Sequence, residues 1–160
     1  MFTAQVLREI HDRAHRNLSA LLDHCRLLDA GQLDRELDGF GYPTVRLQLH
    51  HAIGAQRYWL GVLQGRIDAD DDDHVFPTVA ALAALRATVY AATDAYLRDA
   101  TPAEVNTARP MLTLGGRTKV LTPAHVVLRT QTHLYHHQGQ VTAMCRLLGK
   151  PCQGLDYPIE

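Results

Sequence analysis

The stretch that most restricts what this chain can fold into is Thr132-His133-Leu134-Tyr135-His136-His137-Gln138-Gly139-Gln140. It lies in a longer segment with helical periodicity, from about Pro123 to Leu148. On a helix His133 and His137 are four residues apart, on one face and one turn from each other. Two imidazoles in that relation can grip one divalent cation without distorting the backbone. Val126, Thr130, His133, His137, Val141, Met144 and Leu148 follow steps of three and four, so both rings interrupt a mostly apolar stripe. Burying such rings is costly unless something pairs with them: a metal, or a carbonyl or hydroxyl within the fold. A third ligand from elsewhere in the chain decides between the two.

That ligand is sought along the remaining apolar faces. Val6, Ile10, Ala14, Leu18, Leu21, Cys25 and Leu28 predict a first helix from Thr3 to about Ala30, capped by Thr3 and ended by Gly31. His11 and His15 are also four apart, but Glu9, Asp12, Arg13 and Arg16 beside them place that pair on a solvated surface. Gly39-Phe40-Gly41-Tyr42-Pro43 is a breaker cluster, and a second helix runs from about Thr44 to Gly65. Its inward stripe is Leu47, His51, Gly54, Ala55, Tyr58 and Val62, widened by Trp59 and Leu63. His51 therefore shares the core-facing side, whereas His50 points about 100° away, toward a flank or the surface.

The acidic run from Asp68 to Asp73 lacks the Gly and Glu of a calcium-binding loop and is expected to be a solvated connection. Thr78 caps a third helix that extends to about Asp99. The segment from Asn106 to Leu121, split by Gly115-Gly116, is expected to be a long crossover or short hairpin. Thr122-Pro123 then opens the fourth helix. Four amphipathic helices make an all-α four-helix bundle, a fold that builds metal sites from side chains on facing helices. In it His51 can meet His133 and His137. Three neutral imidazoles leave a coordination position open and suit Zn, Ni, Fe or Co. His136, Gln138 and Gln140 can support the site from its edge, and Tyr58 can line its pocket.

The totals agree with one domain spanning residues 1–160. The chain is 46% hydrophobic and 21% charged, with a formal net charge of −1, so it offers no general attraction for nucleic acid or an anionic membrane. Three cysteines without a CxxC pair point to a reducing, cytoplasmic setting. Cys145, two turns past His137, is expected to pack in the core. No signal peptide and no apolar run of roughly 18 to 20 residues is expected.

Taken together, His51-Ala52-Ile53-Gly54-Ala55-Gln56-Arg57-Tyr58-Trp59-Leu60, the later His133-Leu134-Tyr135-His136-His137-Gln138-Gly139-Gln140 and the Leu147-Leu148-Gly149 that follows resemble the DinB-like (damage-inducible protein) family. Related to it are the YfiT-type metal-dependent hydrolases and the S-transferases that use mycothiol or bacillithiol. The resemblance implies an up-down-down-up bundle, often a homodimer, with a divalent metal on His51, His133 and His137. It also implies a small-molecule substrate and, for the S-transferases, a low-molecular-weight thiol as co-substrate. The chain departs from the family pattern at Gln56, where Glu is frequent, and at Gln138, where Arg is frequent. Three readings follow: a metal-dependent thiol S-transferase or hydrolase, a catalytically silent metal-binding stress-response module, and a bundle whose histidines are hydrogen-bonded core residues.

Overall fold

The computed structural model describes residues 1–67 and 73–159. Most of the acidic run, with the connection expected there, lies outside the described residues. Four long helices form the bundle: α1 (Ala4–Cys25), α3 (Val45–Leu63), α4 (Val79–Asp99) and α6 (Pro123–Leu147). Two short helices, α2 (Ala30–Leu33) and α5 (Pro102–Asn106), and a hairpin of β1 (Arg109–Thr113) and β2 (Arg117–Leu121) fill the connections.

Local chemistry sets these boundaries. The side chains of Thr3, Thr44 and Thr78 accept from backbone N–H groups three residues on and cap α1, α3 and α4. The first helix stops about five residues earlier than its periodicity suggested. Asp29 and Gln32 form a reciprocal capping box that starts α2, so Gly31 lies inside that turn rather than ending α1. Thr101 and Glu104 do the same for α5. In the hairpin, Gly115 and Gly116 take φ of 75° and 72°, a left-handed region that residues with a Cβ rarely enter.

Side-chain pairs fix the directions of the helices. Arg8 pairs with Asp94 and Tyr90 with Asp12, so α1 and α4 run antiparallel. Asn17 meets Tyr135, and Cys25 shares a core cluster with Cys145, so α1 and α6 run parallel. His51 meets His133 while Trp59 lies against Arg129, so α3 opposes α6. The order is up-down-down-up, as the resemblance implied. The main core holds Leu18, Leu21, Leu49, Ile53, Leu82, Leu134, Val141, Met144 and both Cys25 and Cys145. A second cluster around Leu7, Leu97, Val105 and Val127 lies toward the hairpin end, against which Tyr58 and Trp59 pack.

One expectation is overturned. His11 and His15 are not surface residues; both are fully buried, while Val6 is exposed. The inward face of α1 is rotated by about one residue in its first half, onto Leu7, His11, Ala14 and His15. The two rings are affordable there because Gln56 of α3 serves both. Its Nε2 donates to His11 Nδ1 at 3.1 Å and its Oε1 accepts from His15 Nε2–H at 2.6 Å. His11 Nε2–H then donates to the Tyr90 carbonyl at 3.2 Å. The bond accepted at His11 Nδ1 requires that ring to be neutral. Burial holds the His11 pKa below its usual value and pushes His15, which also feels His11, down to about 3.

A histidine neutral in the native state but protonated when unfolded lowers stability as pH falls from about 6.5, the unfolded value, toward the folded one. The metal-free protein is therefore expected to lose stability through this window. Urea titrations at several pH values should show a slope reduced by up to about 1.4 kcal/mol per pH unit in His15→Phe, one proton's worth. An unchanged slope would mean that His15 is protonated in the fold.

Candidate metal centre

Position 51 of α3 and positions 133 and 137 of α6 face each other across the antiparallel pair. The ligand-capable nitrogens of His51, His133 and His137 all lie within 4.8 Å of one another. His133 Nε2 and His51 Nε2 are 3.1 Å apart. Around a tetrahedral zinc with Zn–N of about 2.0–2.1 Å, neighbouring nitrogens are separated by roughly 3.3–3.4 Å, so the donor set fits a cation with small ring movements. The ring centroids are separated by 4.4 to 5.1 Å and the planes are inclined by 73° to 78°, so the rings meet edge to face rather than stacked. No other group of three His, Cys, Asp or Glu side chains converges in this way among the described residues.

The protonation states suit ligation. Burial, then the neighbouring His133, pushes His51 and His137 down to about 4. Burial, then the Arg129 guanidinium, lowers His133. All three are neutral near pH 7, the form that binds a metal. His137 is the most enclosed of the three, and its tautomer is set by a neighbour. His137 Nδ1–H donates to Gln48 Oε1 at 2.6 Å, which leaves the Nε2 lone pair for a cation. Gln48 is itself held, since its Nε2 donates to the Tyr42 carbonyl at 3.0 Å. Tyr42 also lays its ring on His51, with centroids 4.0 Å apart and planes inclined by 21°. The turn before α3, which includes Gly39 at a φ of 87°, thus supports two of the three rings at once.

Gln48 and Tyr42 carry no signal in the sequence. A glutamine on a helix face and a tyrosine in a breaker cluster have no chemistry until the partner helix arrives. His136, expected at the edge of the site, is exposed there; its Nε2 accepts from Gln140 Nε2 at 2.9 Å, and its ring lies 5.0 Å from that of His137. Tyr58 is placed farther along α3, where its hydroxyl accepts from the Leu114 N–H at 2.8 Å and anchors the hairpin tip. His50 sits on the flank of α3, stacked on Phe76 at 5.4 Å. Cys145 is fully buried in the core.

A family model for the DinB superfamily matches residues 12–141, the bundle and all three histidines. The chain belongs to the DinB superfamily. No curated protein matches it closely enough to indicate an activity. Gln56 and Gln138 are both buried in the bundle. Gln56 serves the α1 histidine pair.

Removing the Gln48 amide should free the His137 ring to turn and change tautomer. Gln48→Ala is expected to weaken zinc affinity by about 10- to 100-fold in chelator competition, the usual effect of losing such a supporting bond. Equal affinities for the wild type and Gln48→Ala would remove the proposed orienting role.

Proposed function

We propose that this DinB-superfamily chain is a metal-dependent enzyme acting on a small molecule, either as a thiol S-transferase or as a hydrolase. In this reading His51, His133 and His137 hold a divalent cation, Zn, Ni or Fe. The observation that carries it is the convergence of three neutral imidazoles from two helices, one of them locked by Gln48 in the tautomer a metal needs. A cation bound there supplies Lewis acidity and lowers the pKa of a thiol or water that takes its open position.

The chain's own residues make such a position reachable. His51 and His133 are half-buried rather than enclosed, and His136 and Gln140 beside them reach the surface. A structural metal site is ordinarily closed by four protein ligands, whereas three ligands with an accessible side suit catalysis. The Tyr42 ring covers one flank of His51 and restricts approach to the other. A low-molecular-weight thiol entering there would be brought beside an electrophilic small molecule held against α3 and α6. Hydrolysis needs only water in the same place. A silent metal-binding module would use the same ligands but has no need of the accessible side.

Two measurements separate these readings. Elemental analysis is expected to find about one divalent metal per chain in the wild type and much less in His51→Ala or His137→Ala. Metal content unaffected by either change would exclude the triad. In the cobalt-substituted protein, a small thiol should shift the visible spectrum on entering the coordination sphere. A spectrum indifferent to thiols would leave hydrolysis or a silent site.

A further inference from the structure

The two helices that build the metal centre contain no aspartate or glutamate. The 19 residues of α3 and the 25 of α6 carry Arg46, Arg57, Arg129 and Arg146 but no acidic side chain. The chain as a whole is nearly neutral, with 17 Asp and Glu against 16 Lys and Arg. The carboxylates near this pair come from other elements, as Asp34 does where it pairs with Arg46. Three neutral imidazoles also leave a bound cation's charge unneutralised, unlike a set containing carboxylates. A ligand approaching a cation held there meets that charge undiminished by any carboxylate among the three ligands.

Arg129 is the cation placed to add to that charge. It lies one helical turn before His133 on α6, so the two side chains project from the same face, with Cβ atoms about 5–6 Å apart. Its guanidinium carbon sits 5.7 Å from the centre of the Trp59 ring. Trp59 in turn lies two turns beyond His51 on α3, with the small Ala55 between them on the same line. No carboxylate pairs with Arg129 among the described residues, whereas Arg8, Arg13, Arg16, Arg26 and Arg46 all have acidic partners. An exposed arginine steadied on an indole and lacking a counter-ion presents a planar fork of donors suited to an oxyanion.

We propose that Arg129, laid on Trp59, is the anion-binding subsite of this site, and that the small molecule taken at the metal centre bears a carboxylate a few atoms from its reacting group. This rests on the metal-dependent reading above and specifies the substrate class for that site. The carboxylate docks on the guanidinium, the intervening chain crosses Ala55, and the reacting atom reaches the space between the three rings. Arg129 is a specificity-determining residue in this scheme; it takes no part in bond making.

The test uses the chain's single tryptophan, Trp59, as the reporter. Zinc-loaded and metal-free protein are titrated with 3-mercaptopropionate and with its neutral amide, following Trp59 fluorescence. The acid is expected to give a saturable change at a concentration at least tenfold lower than the amide. Arg129→Gln should equalise the two, and Arg129→Lys should keep part of the preference. Equal responses in the wild type, no saturable response to the acid, or a preference that survives Arg129→Gln would each overturn the subsite. The same ligands are added to the cobalt protein in parallel. An acid preference in the fluorescence with a cobalt spectrum unmoved by thiol keeps the subsite and removes thiol chemistry at the metal. A cobalt spectrum that responds to thiol, with no acid preference in the fluorescence, removes the subsite alone.

Discussion

Two ring nitrogens, His51 Nε2 on α3 and His133 Nε2 on α6, face each other at 3.1 Å, and His137 joins them from the next turn of α6. Neutral imidazole has one donor and one acceptor nitrogen, so three such nitrogens aimed at a common centre cannot all satisfy one another. A cation resolves the conflict, because it accepts all three lone pairs at once. The apolar packing of α3 on α6, through Leu49, Ile53, Leu134 and Val141, sets the register that brings position 51 level with 133 and 137. Gln48 and Tyr42 hold the arrangement from behind, one through the His137 ring and the other against His51.

A second group of imidazoles meets the same requirement without a metal. His11 and His15 are buried on α1, and the single carboxamide of Gln56 gives one of them a donor and the other an acceptor. A carboxylate at that position would accept but could not donate to His11 Nδ1, so the amide suits a pair of neutral rings. Gln56 is five residues from His51 on the same helix. Helix α3 is therefore tied to α1 through one glutamine and to α6 through another, Gln48. The helix that carries His51 is held on two sides by side-chain amides that need neither charge nor solvent.

How far the sequence revealed this depended on whether the signal was periodic. The i, i+4 spacing of His133 and His137, and the place of His51 on its own stripe, were enough to put three rings together. Gly115-Gly116 was enough for the hairpin. The α1 histidines were misplaced because charged neighbours flank them on both sides, and a buried face only three residues wide at that level leaves Glu9, Asp12, Arg13 and Arg16 outside it. The stripe on α3 was slightly out of phase for a similar reason: His51, Ala55 and Tyr58 are half-buried at its edge, while Leu49, Ile53 and Gln56 are deepest. The supporting residues had no signature at all. A glutamine acquires a role only from what it touches, and touching is a tertiary property.

The central claim is that one cation sits between α3 and α6 on three histidine nitrogens. Crystals grown from zinc-loaded protein, with diffraction recorded on both sides of the zinc absorption edge, test it directly. One strong anomalous peak is expected about 2.0–2.1 Å from a ring nitrogen of each of His51, His133 and His137. A peak bound elsewhere, or no peak between these rings in protein shown to contain zinc, would contradict it.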